Sequence, residues 1–106
     1  MAFNIEFKEL VMEKLHGLKG VGYRNMFGGV GIFHDGKMFA LIHEASLFLK
    51  VDDSNRDMFV KEGMEQFQPF KEKPMKMPYY GVPAEVLEDG DVLKQWARLS
   101  IDVTHG

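Results

Sequence analysis

The 106-residue sequence contains no cysteine, which excludes disulfide bonds, thiolate metal sites and thiol nucleophiles. It has no run of about 18 apolar residues that could span a membrane, and its start lacks the apolar stretch of a signal peptide. Positive charge is not in excess, because 13 Lys and Arg oppose 16 Asp and Glu and leave a formal charge of −3. This balance counts against a compact duplex-DNA binder, which is normally basic. We therefore expect a small soluble cytoplasmic protein without membrane contacts.

The residues that are present are typical of one globular domain. Hydrophobic residues make up 45% of the chain and charged residues 27%, close to the average for soluble proteins. A chain of 106 residues is long enough for one domain with one core. The sequence shows no internal repeat, linker or low-complexity segment. We therefore predict a single domain over residues 1–106.

The pattern of apolar residues predicts an α+β domain. Spacings of three and four indicate a first helix over residues 3–16. Alternation indicates three strands over about residues 25–51, and Asp35-Gly36 between two of them favours a type I′ hairpin turn. The remaining expected elements are a short helix before Gly63, two short strands around Phe67 and Met77, a helical turn after Pro83 and a helix over residues 92–100. Helices and strands are partly segregated, so we expect a mostly antiparallel sheet.

Side-chain alternation in these strands predicts a sheet that is apolar on both faces. A two-residue turn at Asp35-Gly36 pairs Ile32 with Phe39. A second two-residue turn pairs Leu41 with Phe48. One face then carries five large apolar side chains, which we expect to meet a second subunit or another protein. These residues are Val30, Ile32, Phe39, Leu41 and Phe48.

The motifs that could carry chemistry favour structural roles. The Gly-Gly-Val-Gly run over residues 28–31 lacks the spacing of a dinucleotide-binding loop and the Lys-Ser/Thr ending of a phosphate loop. The acidic residues at 52–53 and 89–91 are expected to form helix caps and turns. His34 and His43 lie at opposite ends of a predicted strand pair, too far apart to share a metal. We therefore predict no catalytic residue, metal or cofactor.

Two further segments are alternatives for binding. Lysines and tyrosines interleave over residues 71–80, a combination that can hold single-stranded nucleic acid through phosphates and stacked bases. The candidate contact residues there are Lys71, Lys73, Lys76, Tyr79 and Tyr80. The net negative charge disfavours this role. A trough over Gly29, Gly31 and Ala40, where side chains are small or absent, is a third alternative that could take a small molecule.

Three segments resemble the N-terminal domain of the TfoX (Sxy) family. They read RNMFGGVGIF over residues 24–33, DGKMFALI over 35–42 and LFLKVD over 47–52. Shorter similarities follow in order at Asn55-Arg56, Gly63, Pro69-Phe70, Met77–Tyr80, Pro83 and Trp96–Arg98. The resemblance therefore covers nearly the whole chain. Pro78 departs from the family pattern, which usually has a small polar residue at that position.

The resemblance implies a bacterial regulator tied to natural competence and transcriptional regulation, with no established catalytic activity and no cofactor. It also implies an α-β(3)-α-β(2)-α fold similar to type III secretion chaperones. We therefore expect a non-catalytic regulatory domain that acts through protein contacts. Its expected partner is a second copy, in a homodimer, or another regulatory protein. Direct nucleic-acid binding through the segment at residues 71–80 is the alternative.

Overall fold

The fold is an antiparallel sheet with helices packed on one face. The computed structural model describes residues 4–26, 29–68 and 77–106. The elements are α1 (Ile5–Lys14), β1 (Val21–Met26), β2 (Gly29–His34), β3 (Lys37–His43), β4 (Ser46–Lys50), α2 (Arg56–Lys61), β5 (Tyr79–Gly81), α3 (Ala84–Glu88) and α4 (Gly90–His105). The strands lie in the order β1-β2-β3-β4-β5, and each neighbouring pair is antiparallel. The predicted α+β class with a mostly antiparallel sheet is therefore confirmed.

The number of strands differs in detail from the sequence prediction. Four strands separate α1 from α2, because the segment before the predicted first strand forms β1. Phe67 and Met77, expected in two short strands, are joined by a backbone hydrogen bond of 3.0 Å, and β5 begins only at Tyr79. Among the helices of the described segments, none is long and apolar enough to cross a membrane.

Several turn and cap signals of the sequence are confirmed. Asn4 caps α1, because its Oδ1 atom accepts a hydrogen bond of 2.9 Å from the Phe7 N–H. Asp35 and Gly36 have φ angles of 49° and 86°, as both central residues of a type I′ turn require. Asp89 caps α4 by accepting hydrogen bonds from backbone N–H groups of the first turn. The side chains of Asn4 and Asp89 thus satisfy backbone N–H groups at the starts of α1 and α4.

A β-bulge in β3 decides which side chains reach the core. Phe33 pairs with Met38, in the predicted register. The next pair joins Ile32 to Ala40, so Phe39 is an additional residue on β3. A shift of one residue exchanges the two faces of a strand, because side chains alternate. Beyond the bulge, β3 is therefore one residue out of the predicted register with β2.

The main core lies between the sheet and the helices. The sheet side consists of buried apolar residues of β2, β3 and β4 and the residue after β4: Val30, Ile32, Phe39, Ala40, Ile42, Leu47, Leu49 and Val51. The helices and the residue after α1 contribute Val11, Leu15, Phe59, Val86, Leu93 and Ala97. Phe59 of α2 contacts Trp96 of α4 edge to face, with ring centroids 4.8 Å apart. Helices of the same chain thus cover this face of the sheet.

A buried polar residue, Asn55, joins the end of β4 to the start of α2. Its Oδ1 accepts a hydrogen bond of 2.9 Å from the Asp52 N–H, and its Nδ2 donates one of 3.1 Å to the Lys50 carbonyl. The Ser100 hydroxyl of α4 donates to the same carbonyl at 2.8 Å. Because Asn55 is only 3% exposed, water cannot easily replace these bonds.

We expect Asn55→Ala to lower the free energy of unfolding by about 1–3 kcal/mol, because it removes both hydrogen bonds of a side chain that is only 3% exposed. The matched control is Val60→Ala in α2, at a position that is 54% exposed, with an expected change of about 0.5 kcal/mol or less. Urea unfolding monitored by Trp96 fluorescence measures both. Equal losses in the two variants would contradict the role assigned to Asn55.

Candidate functional site

The five residues predicted as one interaction surface lie on two faces of the sheet. Val30, Ile32 and Phe39 are at most 1% exposed and lie in the core beneath the chain's own helices. For these three residues the prediction is wrong. The physical reason is the bulge, which pairs Leu41 with Gly31 instead of Val30. Val30, Ile32 and Phe39 therefore face the helices, whereas Leu41 faces the other side of the sheet.

Leu41 and Phe48 lie on the second face, away from the helices. They are cross-strand partners, as predicted. Phe67 packs against Phe48 with ring centroids 4.6 Å apart, and Tyr79 belongs to the same cluster. Another segment of the same chain thus covers part of this face and leaves Leu41 only 9% exposed. A partner contact at Leu41 and Phe48 stays a prediction.

The two tyrosines proposed to stack on nucleic-acid bases lie on opposite faces of the sheet. Tyr79 is 3% exposed, and burial raises the pKa of its hydroxyl group. Tyr80 packs on the helix side against Phe59, with ring centroids 5.9 Å apart. The two rings therefore cannot form one stacking platform, and this part of the alternative is wrong. Lys71, Lys73 and Lys76 lie outside the described residues.

The described residues form no trough over Gly29, Gly31 and Ala40. A Cβ atom added at Gly31 would lie 2.5 Å from the Met26 sulfur and 2.9 Å from the Met38 sulfur, so methionine side chains fill the space. Ala40 belongs to the helix-side core. The predicted small-molecule trough is therefore wrong.

The acidic residues after β4 have the predicted structural role. Asp52 accepts hydrogen bonds from the side-chain hydroxyl and the backbone N–H of Ser54, at 2.5 and 2.7 Å. These bonds hold the pKa of the Asp52 carboxyl below its ordinary value. Asp53 pairs with Arg56 one helical turn later. The residues at 52–53 therefore stabilise a turn and the start of α2.

Two histidines that are distant in sequence meet at the end of α4. His34 Nδ1 lies 2.9 Å from His105 Nε2, and the same His105 atom lies 3.0 Å from the His34 carbonyl oxygen. The sequence prediction missed this contact because it ended the last helix at Ser100, whereas α4 continues to His105. No group of three His, Asp or Glu that could hold a metal ion occurs in residues 4–26, 29–68 and 77–106. The pair joins α4 to the β2–β3 hairpin.

The two edges of the sheet differ in their covering. The edge strand β5 has three residues, and Gln66 bridges to Tyr80 on it, while the Gly81 N–H donates to the Glu65 carbonyl at 3.2 Å. The opposite edge strand, β1, has six residues, and all of them after Val21 are exposed. Its register with β2 is continuous, so no β-bulge interrupts it, and its sequence contains no proline. Bulges and prolines are two features by which edge strands avoid pairing with another chain. We call β1, Val21–Met26, the open edge.

The open edge presents backbone hydrogen-bonding groups. The Asp35 N–H donates to the Gly20 carbonyl at 3.1 Å, which makes residues 20 and 35 a hydrogen-bonded pair. Such pairs recur at every second residue of an antiparallel ladder, so Gly22 and Arg24 bond to β2. The N–H and C=O groups of the alternate residues point away from the sheet. These residues are Val21, Tyr23 and Asn25.

Side chains of the open edge add accessible apolar area. Tyr23 is 50% exposed and Met26 is 48% exposed. The Lys8 ammonium lies 4.3 Å from the centre of the Tyr23 ring, which places Tyr23 on the helix side. Arg24 points to the other side, where its guanidinium carbon lies 4.9 Å from the centre of the Phe33 ring. Exposed backbone groups and exposed aromatic area thus occur on the same strand.

Comparison with known proteins agrees with the resemblance seen in the sequence. Among curated proteins, none matches this chain. A family model, TfoX N-terminal domain, matches residues 13–104, a range that includes the whole sheet and most of α4. The chain belongs to the TfoX N-terminal domain family.

Proposed function

We propose that this chain is a non-catalytic regulatory domain of the bacterial cytoplasm that acts by binding protein. Membership of the TfoX N-terminal domain family supports the regulatory role. The observation that carries the proposal is the open edge. The open edge has outward backbone N–H and C=O groups beside half-exposed apolar side chains. A partner that adds a strand to a sheet binds through such groups.

The contrast with nucleic-acid binding also supports a protein partner. Stacking of bases needs accessible aromatic rings near cationic groups. Tyr79 is buried and Tyr80 packs against the helix side, while the whole chain carries a formal charge of −3. Pairing with another strand, by contrast, depends mainly on backbone hydrogen bonds, and the open edge offers the N–H and C=O groups for them.

Cross-linking in the cells that naturally contain the protein tests this proposal. Tyr23 is replaced by the photoreactive aromatic p-benzoylphenylalanine, and the matched control places it at Val60 in α2, which is similarly exposed at 54%. We expect irradiation to give protein adducts from position 23 well above those from position 60. The adducts should survive nuclease and disappear with protease.

Two results would contradict the proposal. Adducts at position 23 that nuclease removes would assign the open edge to nucleic acid. Equal yields from positions 23 and 60 would mean that the edge has no preferred partner, because both side chains are about half exposed.

A further inference from the structure

We infer that the partner at the open edge is a second copy of this chain, paired antiparallel through β1 about a two-fold axis. This inference rests on the proposed function and names its partner. The pairing surface differs from the one expected from the sequence, since Val30, Ile32 and Phe39 take no part in it. Two sheets join at their open edges into one continuous sheet, and the helices of both copies lie on the same face.

Backbone geometry restricts the register of this pairing. Only residues with outward N–H and C=O groups can form hydrogen-bonded pairs, so Val21, Tyr23 and Asn25 must pair among themselves across the axis. With Tyr23 opposite Tyr23 of the second copy, Val21 lies opposite Asn25. This register pairs residues 21–25 of both strands and forms about six N–H···O bonds.

The position of Arg24 favours this register over the neighbouring register centred on Arg24. If the axis moves by one residue to Arg24, two arginines lie directly opposite each other, and like charges in that position destabilise a sheet. With the axis at Tyr23, Arg24 instead faces Gly22 of the second copy. A Cβ atom added at Gly22 meets nothing within 4 Å, so the space above it is open to a long side chain. Moving the axis the other way, to Gly22, leaves only residues 21–23 of β1 paired.

The helix side of the open edge adds apolar contact to the same pairing. Lys8 lies over Tyr23, so the flank of α1 that carries Lys8 adjoins the edge. Tyr23 is 50% exposed. Pairing of β1 with a second copy would remove part of the Tyr23 side chain from water, which favours association.

A matched pair of charge variants at Gly22 tests the inferred register. Gly22 has open space around it and no positive φ, so both glutamate and lysine fit there without disturbing the fold. Gly22→Glu places a carboxylate opposite Arg24 of the second copy and should tighten dimerisation about three- to tenfold. Gly22→Lys places an ammonium there and should weaken it by a similar factor. Sedimentation equilibrium at low salt measures the dimerisation constant of each variant.

Variants at Tyr23 test whether the backbone of β1 makes the contact. Tyr23→Pro removes an outward N–H and keeps those that bond to β2, a position where an edge strand tolerates proline. It should stay at the monomer mass of 12.2 kDa at every concentration, whereas the wild type and Tyr23→Phe reach twice that mass. Circular dichroism verifies that all three are folded.

The inference is overturned if the folded wild type stays at 12.2 kDa up to millimolar concentration. It is also overturned if the two Gly22 variants shift the dimerisation constant in the same direction. A monomeric wild type whose position 23 still cross-links to a different protein would overturn this inference and leave the proposed function standing. Loss of all cross-links at position 23 would remove the proposed function as well.

Discussion

Phe39→Ala is expected to lower the free energy of unfolding by about 3–5 kcal/mol. Phe39 is 0% exposed and is one of the two largest fully buried side chains in the described part of the chain. It stands at the bulge of β3 and faces the helices. Its truncation leaves a cavity in the centre of the core, because the paired strands on both sides of β3 limit how far the site can collapse. Urea or thermal unfolding measures the loss.

The same variant separates the two roles considered for Phe39. A phenylalanine on a partner surface would change association and leave the stability of the isolated chain nearly unaltered. The control is Val60→Ala, on an exposed position of α2, with an expected loss of about 0.5 kcal/mol or less. A loss at Phe39 as small as that at Val60 would show that Phe39 does not belong to the core.

Gly29→Ala is expected to destabilise the fold by about 3 kcal/mol. An added Cβ atom would lie well inside the contact distance of the Ile42 carbonyl oxygen and 3.2 Å from its carbonyl carbon. Those atoms belong to β3, which is held between β2 and β4, so the backbone cannot move away without loss of ladder hydrogen bonds. Chemical denaturation of the purified variant measures the effect.

Gly31→Ala is the matched control, two residues further along the same strand. The atoms that its added Cβ would meet belong to the side chains of Met26, Met38 and Phe33. Methionine side chains are flexible and can shift, so we expect a loss of about 1 kcal/mol. If the two glycine variants were equally destabilised, the close approach of Gly29 to the β3 backbone would be disproved.

The sequence predicts the elements of the fold better than their register. Asp35-Gly36 identifies the first hairpin turn, because only a few residues adopt positive φ at both central positions. The pairing beyond Phe33 and Met38 is not predictable from alternation, because a bulge adds one residue and exchanges the faces. The register of β3 with β4 is predicted correctly, since no bulge interrupts it.

The open edge is missed by the sequence pattern because an edge strand has little apolar alternation to show. Gly22, Arg24 and Asn25 are typical of loops, and their β structure depends on pairing with β2. The opposite positions of Tyr79 and Tyr80, by contrast, follow from the sequence alone, since adjacent residues of a strand point to opposite faces. The contact between His34 and His105 depends on where α4 ends and is not encoded in local spacing.

Residue-resolved amide hydrogen exchange at low and high protein concentration tests the central claim, that the open edge of β1 makes the functional contact. The Tyr23 and Asn25 amides point outward, so their exchange should slow as the concentration rises through the dimerisation range. The Val60 amide in α2 should exchange at one rate throughout. Formation of a dimer while the Tyr23 and Asn25 amides keep exchanging at their low-concentration rates would place the contact elsewhere and contradict the claim.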